Sequence, residues 1–366
     1  MEPVGIGLIG CGNIAAIYAE NAARFAPLRL VSCADLLPER AKAFGREHGI
    51  AKVHTVEGLL GDPAVEVVLN LTIPAAHIPV SMAAIAAGKH VYSEKPLALD
   101  AAEGQELLDA AAASKRLVGC APDTFLGAAH QTARKAIDDG WIGETVSATA
   151  FMQCHGHESW HPSPAFYYEA GGGPLFDMGP YYLTALVNLL GPVAEVSAMA
   201  SSAFPERVIT SEPRRGERIQ VKTPTHIAGT AAFASGVIVS LVMSFDVWQA
   251  SLPHLEIHGT QGSMQVPDPN AFGGCVRIWR PGYDDWKELP NAFGYAENSR
   301  GLGLACMAHA VRGGAAHRAT GALAQHVLET MEALLAAAGE GGTISIKSAP
   351  QRPKPLPMGL RDGEIA

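Results

Sequence analysis

The chain has 366 residues, 48% of them hydrophobic and 17% charged, and a net charge of −9. This composition excludes a disordered chain, and without long basic runs it argues against nucleic acid or an anionic membrane surface as partner. The length accommodates two domains with a core each, no apolar stretch is long enough to span a bilayer, and six scattered cysteines without a C-x-x-C pair read as reduced thiols of a cytoplasmic protein.

The run VGIGLI at 4–9 is read as a strand that starts too close to Met1 to leave room for a signal peptide. Gly10, Gly12 and Ala15 follow at the spacing of a G-x-G-x-x-A turn. The first glycine permits a tight turn, the second lets backbone approach a pyrophosphate, and the small third residue lets helix and strand pack closely. Asn13 and Ile14 open a helix whose free N–H groups face the phosphates, with Ile14, Ile17, Tyr18 and Phe25 expected on one face. The next strand, LRLVSCAD, ends in Asp35, where a carboxylate holds both ribose hydroxyls of an adenosine. No Arg or Lys immediately follows it, so NAD is expected rather than NADP.

Pro38 starts a helix that Gly49 ends, and AVEVVLNLT is apolar enough for a strand covered on both faces. The helix IPAAHIPVSMAAIAAG, the strand HVYSE, a helix from Asp100 with Glu103 completing a capping box, and the strand RLVGCA close a doubly wound parallel α/β sheet over residues 1–122. Past Pro122 the rhythm changes. One helix leads to the strands TVSATAFMQC, VAEVSAMAS, THIAGTAAFA, VIVSLVMSF and HLEIHG, with a hairpin at Ser235 and Gly236. Residues 123–348 are therefore expected to form an α+β domain with a large, mostly antiparallel sheet, closed by a helix at about 319–337 that packs on a core or back on the first domain. Residues 349–366 are proline-rich and read as a surface tail.

Three stretches outside the glycine turn carry chemistry. YSEKP at 92–96 ends a strand at the edge that lines the ligand crevice, and the proline fixes the direction of Lys95. GGGPLFDMGPYYLTAL from Gly171 puts glycines at the mouth of a helix on which Asp177 and Tyr181, four apart, share a face. Between them, CHGHESWHPSPAFYYE at 154–169 offers histidines and acids, but His155 and His157 are only two apart with no second ligand pair nearby, so no metal is expected. Trp160 and His161 are read there as substrate contacts, the indole for C–H groups and the imidazole for hydroxyls. Arg207, Arg214, Arg215, Arg218 and Lys222 are interleaved with glutamates and read as a solvated loop or subunit contact rather than a phosphate grip.

As an ordered set, GCGNIA, TIPAAH at 72–77, EKP at 94–96, GGGPLFDMG at 171–179, the GTQG turn from Gly259 and ATGALAQHVLETM resemble the Gfo/Idh/MocA family of NAD(P)-dependent oxidoreductases. The resemblance implies a Rossmann domain followed by an open-faced sheet domain through which homodimers or homotetramers form, acting on CH–OH or keto groups of sugars and their derivatives. It implies coenzyme contacts from Gly10, Gly12, Asn13, Ile14, Asp35, Thr72, Pro74, His77, Glu94 and Lys95, and substrate contacts from Lys95 and Asp177. The histidine many members carry four residues after that aspartate is Tyr181 here, as in members that use tyrosine, and the acid usual three residues further on is Thr184. Lys95 and Tyr181 are accordingly expected to share the proton, with the lysine pKa depressed beside the nicotinamide and Asp177 orienting the hydroxyl. Related members retain NAD to cleave glycosides by transient oxidation, or act as sensors, although sensors would be expected to lose the EKP kept here.

Overall fold

The structure, a computed structural model, describes residues 2–365. Strands β1 (Val4–Ile9), β2 (Leu28–Ala34), β3 (Lys52–His54), β4 (Val67–Asn70), β5 (His90–Ser93) and β6 (Val118–Cys120) form a parallel sheet in the order β3-β2-β1-β4-β5-β6. Helices α1 (Ala15–Ala22), α2 (Pro38–Glu47), α3 (Val56–Gly61), α4 (Pro74–Ala86) and α5 (Ala101–Ala113) make the crossovers. Every residue of β1 and β4 is buried, as strands covered on both faces require. The strand order reverses between these two, so their C-terminal ends open the crevice in which doubly wound sheets bind ligands.

Local chemistry sets the boundaries. The Asp100 carboxylate accepts the N–H groups of Ala102 and Glu103 at the start of α5. Helix α1 ends at Ala22, earlier than its apolar pattern suggests, and Phe25 is buried from the loop beyond, its ring 5.8 Å from that of Tyr295. The sequence reading passed over β3 and α3. Six residues are too few for a helical period, and the signal that remains is Thr55, whose Oγ1 accepts the Gly58 N–H at 3.1 Å.

The rest of the chain runs α6 (Ala128–Asp138), β7 (Thr145–Gln153), α7 (Gly173–Leu190), β8 (Val193–Ser201), β9 (Glu206–Val208), β10 (Arg218–Gln220), β11 (His226–Phe233), β12 (Ile238–Ser244), β13 (Leu255–Gly259), β14 (Gly262–Val266), β15 (Val276–Trp279), β16 (Lys287–Leu289), α8 (Leu302–Val311), α9 (Gly321–Glu340) and β17 (Ile344–Ser345). Nine strands form one sheet in the order β16-β15-β14-β13-β7-β12-β11-β8-β17, while β9 and β10 pair by themselves. The large sheet is antiparallel except that β12 lies parallel to β7, a pairing that α7 and the strands after it permit by forming the crossover. The expected hairpin joins β11 to β12, and a second one, at Gly259 and Gly262, joins β13 to β14, a strand the sequence reading did not single out.

Helix α8 was not visible as a period because seven of its ten residues are buried, leaving no polar stripe. Helix α9 buries Leu323, Val327, Leu328, Met331 and Leu334 and ties the two sheets together. Its Gln325 donates to the Ala101 carbonyl at 2.7 Å and its Glu332 accepts the Ala101 N–H at 2.8 Å, while Met331 packs on Gly179 of α7. The segment read as a surface tail is mostly exposed, and it is anchored to the rest of the chain at several points. Leu356 is buried with its N–H on Gln131 at 2.8 Å, and Asp362 pairs with Arg24 of the turn after α1 at 2.6 Å. Four of the six cysteines are buried, Cys275 is exposed, and all six are free. Among the described residues no helix is long and apolar enough to cross a membrane.

Candidate active site

The site is assembled from the C-terminal ends of β1, β2, β4 and β5 and from the start of α7. After β1 the chain turns at Gly10, whose φ is +98°, and a Cβ there would lie 2.6 Å from the Leu71 carbonyl oxygen at the end of β4. Only glycine fits that approach. At Gly12 a Cβ would meet no protein atom within 4 Å, so the chain leaves open the space that a side chain would take. Asn13 is exposed and Ile14 is the N-cap residue of α1, which makes no side-chain cap; the Ala15 N–H that opens the helix donates back to the Gly12 carbonyl at 3.0 Å.

Asp35 stands just past β2 with its carboxylate fixed by two backbone donors, Cys11 N–H on Oδ2 and Leu37 N–H on Oδ1, both at 2.8 Å. Each oxygen keeps a lone pair for a further donor, as two ribose hydroxyls require. Leu36 and Ile73, 91% and 71% exposed, lie on either side of the crevice mouth and offer apolar faces for a base, a feature the sequence reading did not single out. The residues present therefore fit a dinucleotide. Asp35→Ala is expected to weaken NAD binding about 10- to 100-fold and to narrow the margin over NADP, read by titrating both coenzymes against protein fluorescence.

Thr72 and Pro74 form the entry to α4, and the Thr72 hydroxyl donates to Asn70 at 2.7 Å. His77 departs from expectation. It is buried, with Nδ1 2.6 Å from the Pro96 carbonyl and Nε2 3.0 Å from that of Thr72. Both ring nitrogens face backbone oxygens; burial favours the neutral ring, whose single N–H donates to one of the two carbonyls, so the imidazole sits packed between the Thr72 and Pro96 loops. Glu94 has a similar fastening role, accepting the Tyr18 hydroxyl of α1 and the Lys95 N–H, each at 2.9 Å.

Lys95 reaches from the end of β5 to α7, 82 residues further along the chain. Its Nζ donates to the Asp177 carbonyl at 2.7 Å and to Asp177 Oδ1 at 2.9 Å, and both side chains are mostly buried. Burial works against the ammonium, but Asp177, with Tyr181 and Glu94 behind it, outweighs burial and raises the lysine pKa above its ordinary value. Burial likewise favours a neutral Asp177, yet Lys95 and His157 overcome it and hold that carboxyl down at about 2. Within the protein, then, Lys95 is an ammonium and Asp177 a carboxylate, and the depression of the lysine expected from sequence depends on a nicotinamide ring lying beside it.

Tyr181 shares the face of Asp177 but turns its ring toward Lys95, with Nζ 5.0 Å from the ring centroid. Burial pushes its hydroxyl pKa up, against the Lys95 ammonium and the Arg300 guanidinium, which pull it down. Lys95 thus meets the π face of Tyr181, a cation–π contact. Thr184, one turn on, is buried.

The loop at 154–169 supplies what the sequence reading missed. His157 is buried, and its Nε2 lies 3.0 Å from Asp177 Oδ2, so the carboxylate is held on both oxygens. Trp160 and His161 stand further out, with the indole 5.1 Å from the His157 ring and His161 Nδ1 accepting the Ser163 N–H at 3.0 Å. Together with exposed Phe166 they line an aromatic rim outside the buried charges. Among the described residues no group of three His, Cys, Asp or Glu could hold a metal ion.

Arg207 is the correction in the basic segment. It is buried, paired with Glu158 at 3.2 Å and with Asp246, and its guanidinium lies over the Phe204 ring at 4.7 Å. It therefore anchors the loop that carries His157, while Arg214, Arg215, Arg218 and Lys222 are accessible and paired with neighbouring glutamates. Arg207→Met leaves two buried carboxylates without their cation and is expected to cost about 3–5 kcal/mol of stability, measurable by denaturant unfolding.

A glycine turn at the crossover of a parallel sheet, an acid at the end of the next strand and a buried lysine–aspartate pair beside that crevice define a nicotinamide-coenzyme oxidoreductase. Residues 4–121 match the model of an oxidoreductase family with an NAD-binding Rossmann fold, and residues 130–265 match the GFO/IDH/MocA C-terminal domain. The chain belongs to the Gfo/Idh/MocA family. It is 32% identical over 263 residues to a 1,5-anhydro-D-fructose reductase of Ensifer adhaerens, covering 70% of this chain and 74% of that one. It is 26% identical over 266 residues to an inositol 2-dehydrogenase of Rhizobium meliloti, covering 71% and 74%. Among solved structures, a levoglucosan dehydrogenase in complex with NADH and levoglucosan shares the fold with a TM-score of 0.82 at 20% identity, covering 94% of this chain and 99% of that one.

Proposed function

We propose that this protein transfers hydride between NAD and a secondary hydroxyl or keto group on an unphosphorylated sugar or sugar derivative. The observation that carries the reading is the Lys95–Asp177 pair, held in mutual contact at the edge of the coenzyme crevice. Gly10, Gly12, Asn13, Ile14, Asp35, Thr72, Pro74 and Glu94 would hold the coenzyme, with His77 positioning two of their loops. When bound, the nicotinamide supplies or accepts the hydride. Lys95, an ammonium in the resting protein, donates a proton to the substrate oxygen in reduction and becomes a neutral amine; in oxidation it must first give up a proton, and the neutral amine then takes one from the substrate hydroxyl. Asp177 fixes the direction of that ammonium and stabilises its charge. Tyr181 walls the ammonium on its other side, and Trp160 and His161 meet the sugar ring at the rim.

The accessible arginines are already paired with glutamates, which favours a substrate without phosphate. The names of the relatives point the same way, being those of enzymes acting on an anhydro-sugar and a cyclitol. A homodimer or homotetramer would form through the face of the large sheet away from α7 and α9. There Met199, Ala228, Val242 and Phe151 make one cross-strand apolar row, with Met199 80% exposed. Free thiols accord with a cytoplasmic location.

The test is a panel assayed in both directions with NAD(H) and NADP(H): 1,5-anhydro-D-fructose, levoglucosan, inositols, glucose and glucose 6-phosphate. Net coenzyme turnover with an unphosphorylated member supports the reading. Strict dependence on the phosphate would overturn the substrate class, and glycoside cleavage without net NADH change would replace the reaction with the retained-coenzyme one.

A further inference from the structure

We propose that His157 is a positioning residue that keeps the buried Asp177 carboxylate paired while Lys95 changes its protonation state, an inference that rests on Lys95 being the proton-handling group. Asp177 meets two protonatable bases on different oxygens, Lys95 Nζ on Oδ1 at 2.9 Å and His157 Nε2 on Oδ2 at 3.0 Å. In the reductive direction an N–H bond of Lys95 breaks as an O–H bond forms on the substrate, leaving a neutral amine. Asp177 has then lost its cation, and an unpaired carboxylate in a buried site is costly. The imidazole removes that cost by taking a solvent proton on Nδ1 while Nε2–H continues to hold Oδ2. Loss of the lysine proton leaves the three groups with one net negative charge, proton uptake by His157 brings them back to zero, and when Lys95 is reprotonated His157 gives its proton back to solvent.

The surroundings of His157 suit that task. Among the described residues Nδ1 takes part in no hydrogen bond, so the second nitrogen is free to bind a proton. Three rings enclose the imidazole, Tyr167 at 4.2 Å, Phe245 at 4.7 Å and Trp160 at 5.1 Å. Asp177 is the charged group in contact with it. Tyr167, His161 and Lys95 are further titratable groups nearby, and the neighbouring Glu158 is turned away into its pair with Arg207. The loop backbone is fixed as well, since the Glu158 carbonyl accepts the N–H groups of Thr210 and Ser211, each at 2.9 Å. A side chain serving only to fill space would need neither the second base on the carboxylate nor this anchoring.

The experiment compares wild type, His157→Gln and His157→Ala in the reduction of 1,5-anhydro-D-fructose by NADH, together with histidine nitrogen NMR of the resting protein. Glutamine keeps a donor to Asp177 but does not ionise. His157→Gln is expected to lower kcat about 10- to 100-fold with little change in KM, and added imidazole should restore part of the turnover of His157→Ala. The NMR spectrum should place the resting proton of His157 on Nε2, with that signal displaced in Asp177→Asn. Wild-type kcat in His157→Gln, loss in His157→Ala without imidazole rescue, or a resting proton on Nδ1 would each overturn the inference while leaving the hydride-transfer reading intact. A wild type inert toward every sugar of the panel would instead remove that reading, and this inference with it.

Discussion

Replacing Lys95 by methionine is expected to lower kcat by about 10³-fold while NADH still binds. Methionine preserves most of the buried volume and removes the one ammonium that Asp177 holds at the crevice edge. Without it the substrate oxygen has no proton donor, and Asp177 keeps only His157 as a partner. The coenzyme contacts proposed here come mainly from backbone and from Asp35, so NADH affinity should change by no more than a few-fold. Because Asp177 loses a cation, its carboxyl pKa, held near 2 in the wild type, should rise. Any activity left in Lys95→Met should therefore favour lower pH, where a protonated Asp177 relieves the unpaired charge. A Lys95→Met enzyme with wild-type kcat would show that the proton is handled elsewhere.

The second large effect concerns the glycine turn, where two neighbouring glycines should behave differently. Gly10→Ala introduces a Cβ 2.6 Å from the Leu71 carbonyl oxygen and 2.8 Å from Thr72 N, at a φ of +98°. The contacts are with backbone, so β1 and β4 must move apart exactly where their ends form the crevice. A cost of about 2–4 kcal/mol in stability is expected, with NAD affinity falling as the crevice distorts. At Gly12 nothing lies within 4 Å of the added carbon. Gly12→Ala should therefore unfold at the wild-type denaturant concentration and yet lose NAD affinity, because its methyl group fills the space left for the pyrophosphate. Equal stability losses in the two variants would contradict this division.

The contrast also marks what the amino-acid order discloses. The Gly10–Asp35 unit was legible because each requirement is local: a tight turn, a close backbone approach and a carboxylate one strand later. The continuous apolar runs of β1 and β4 announced a covered parallel sheet for the same reason. Lys95 and Asp177 are 82 residues apart, and no spacing rule joins them; the resemblance suggested both, and only the packing of α7 against the end of β5 brings them into contact. His157 was passed over because His155 and His157 invite a metal reading, and its real partner depends on how a long loop folds back on α7. Arg207 was misread with its neighbours. Interleaved glutamates usually indicate a solvated surface, whereas here Glu158 and Asp246 arrive from other segments to bury it. Tyr181 illustrates a further limit, since sequence places it on the correct helix face but does not tell whether ring or hydroxyl meets the lysine.

The most direct test of the account is the fate of a labelled hydride. NADH deuterated on the nicotinamide ring should pass its deuterium to a carbon of 1,5-anhydro-D-fructose or another unphosphorylated keto-sugar in wild-type protein, and the transfer should fall by about 10³-fold in Lys95→Met. A wild type that binds NADH yet leaves every sugar unlabelled, or a Lys95→Met variant that transfers the label at the wild-type rate, would contradict it.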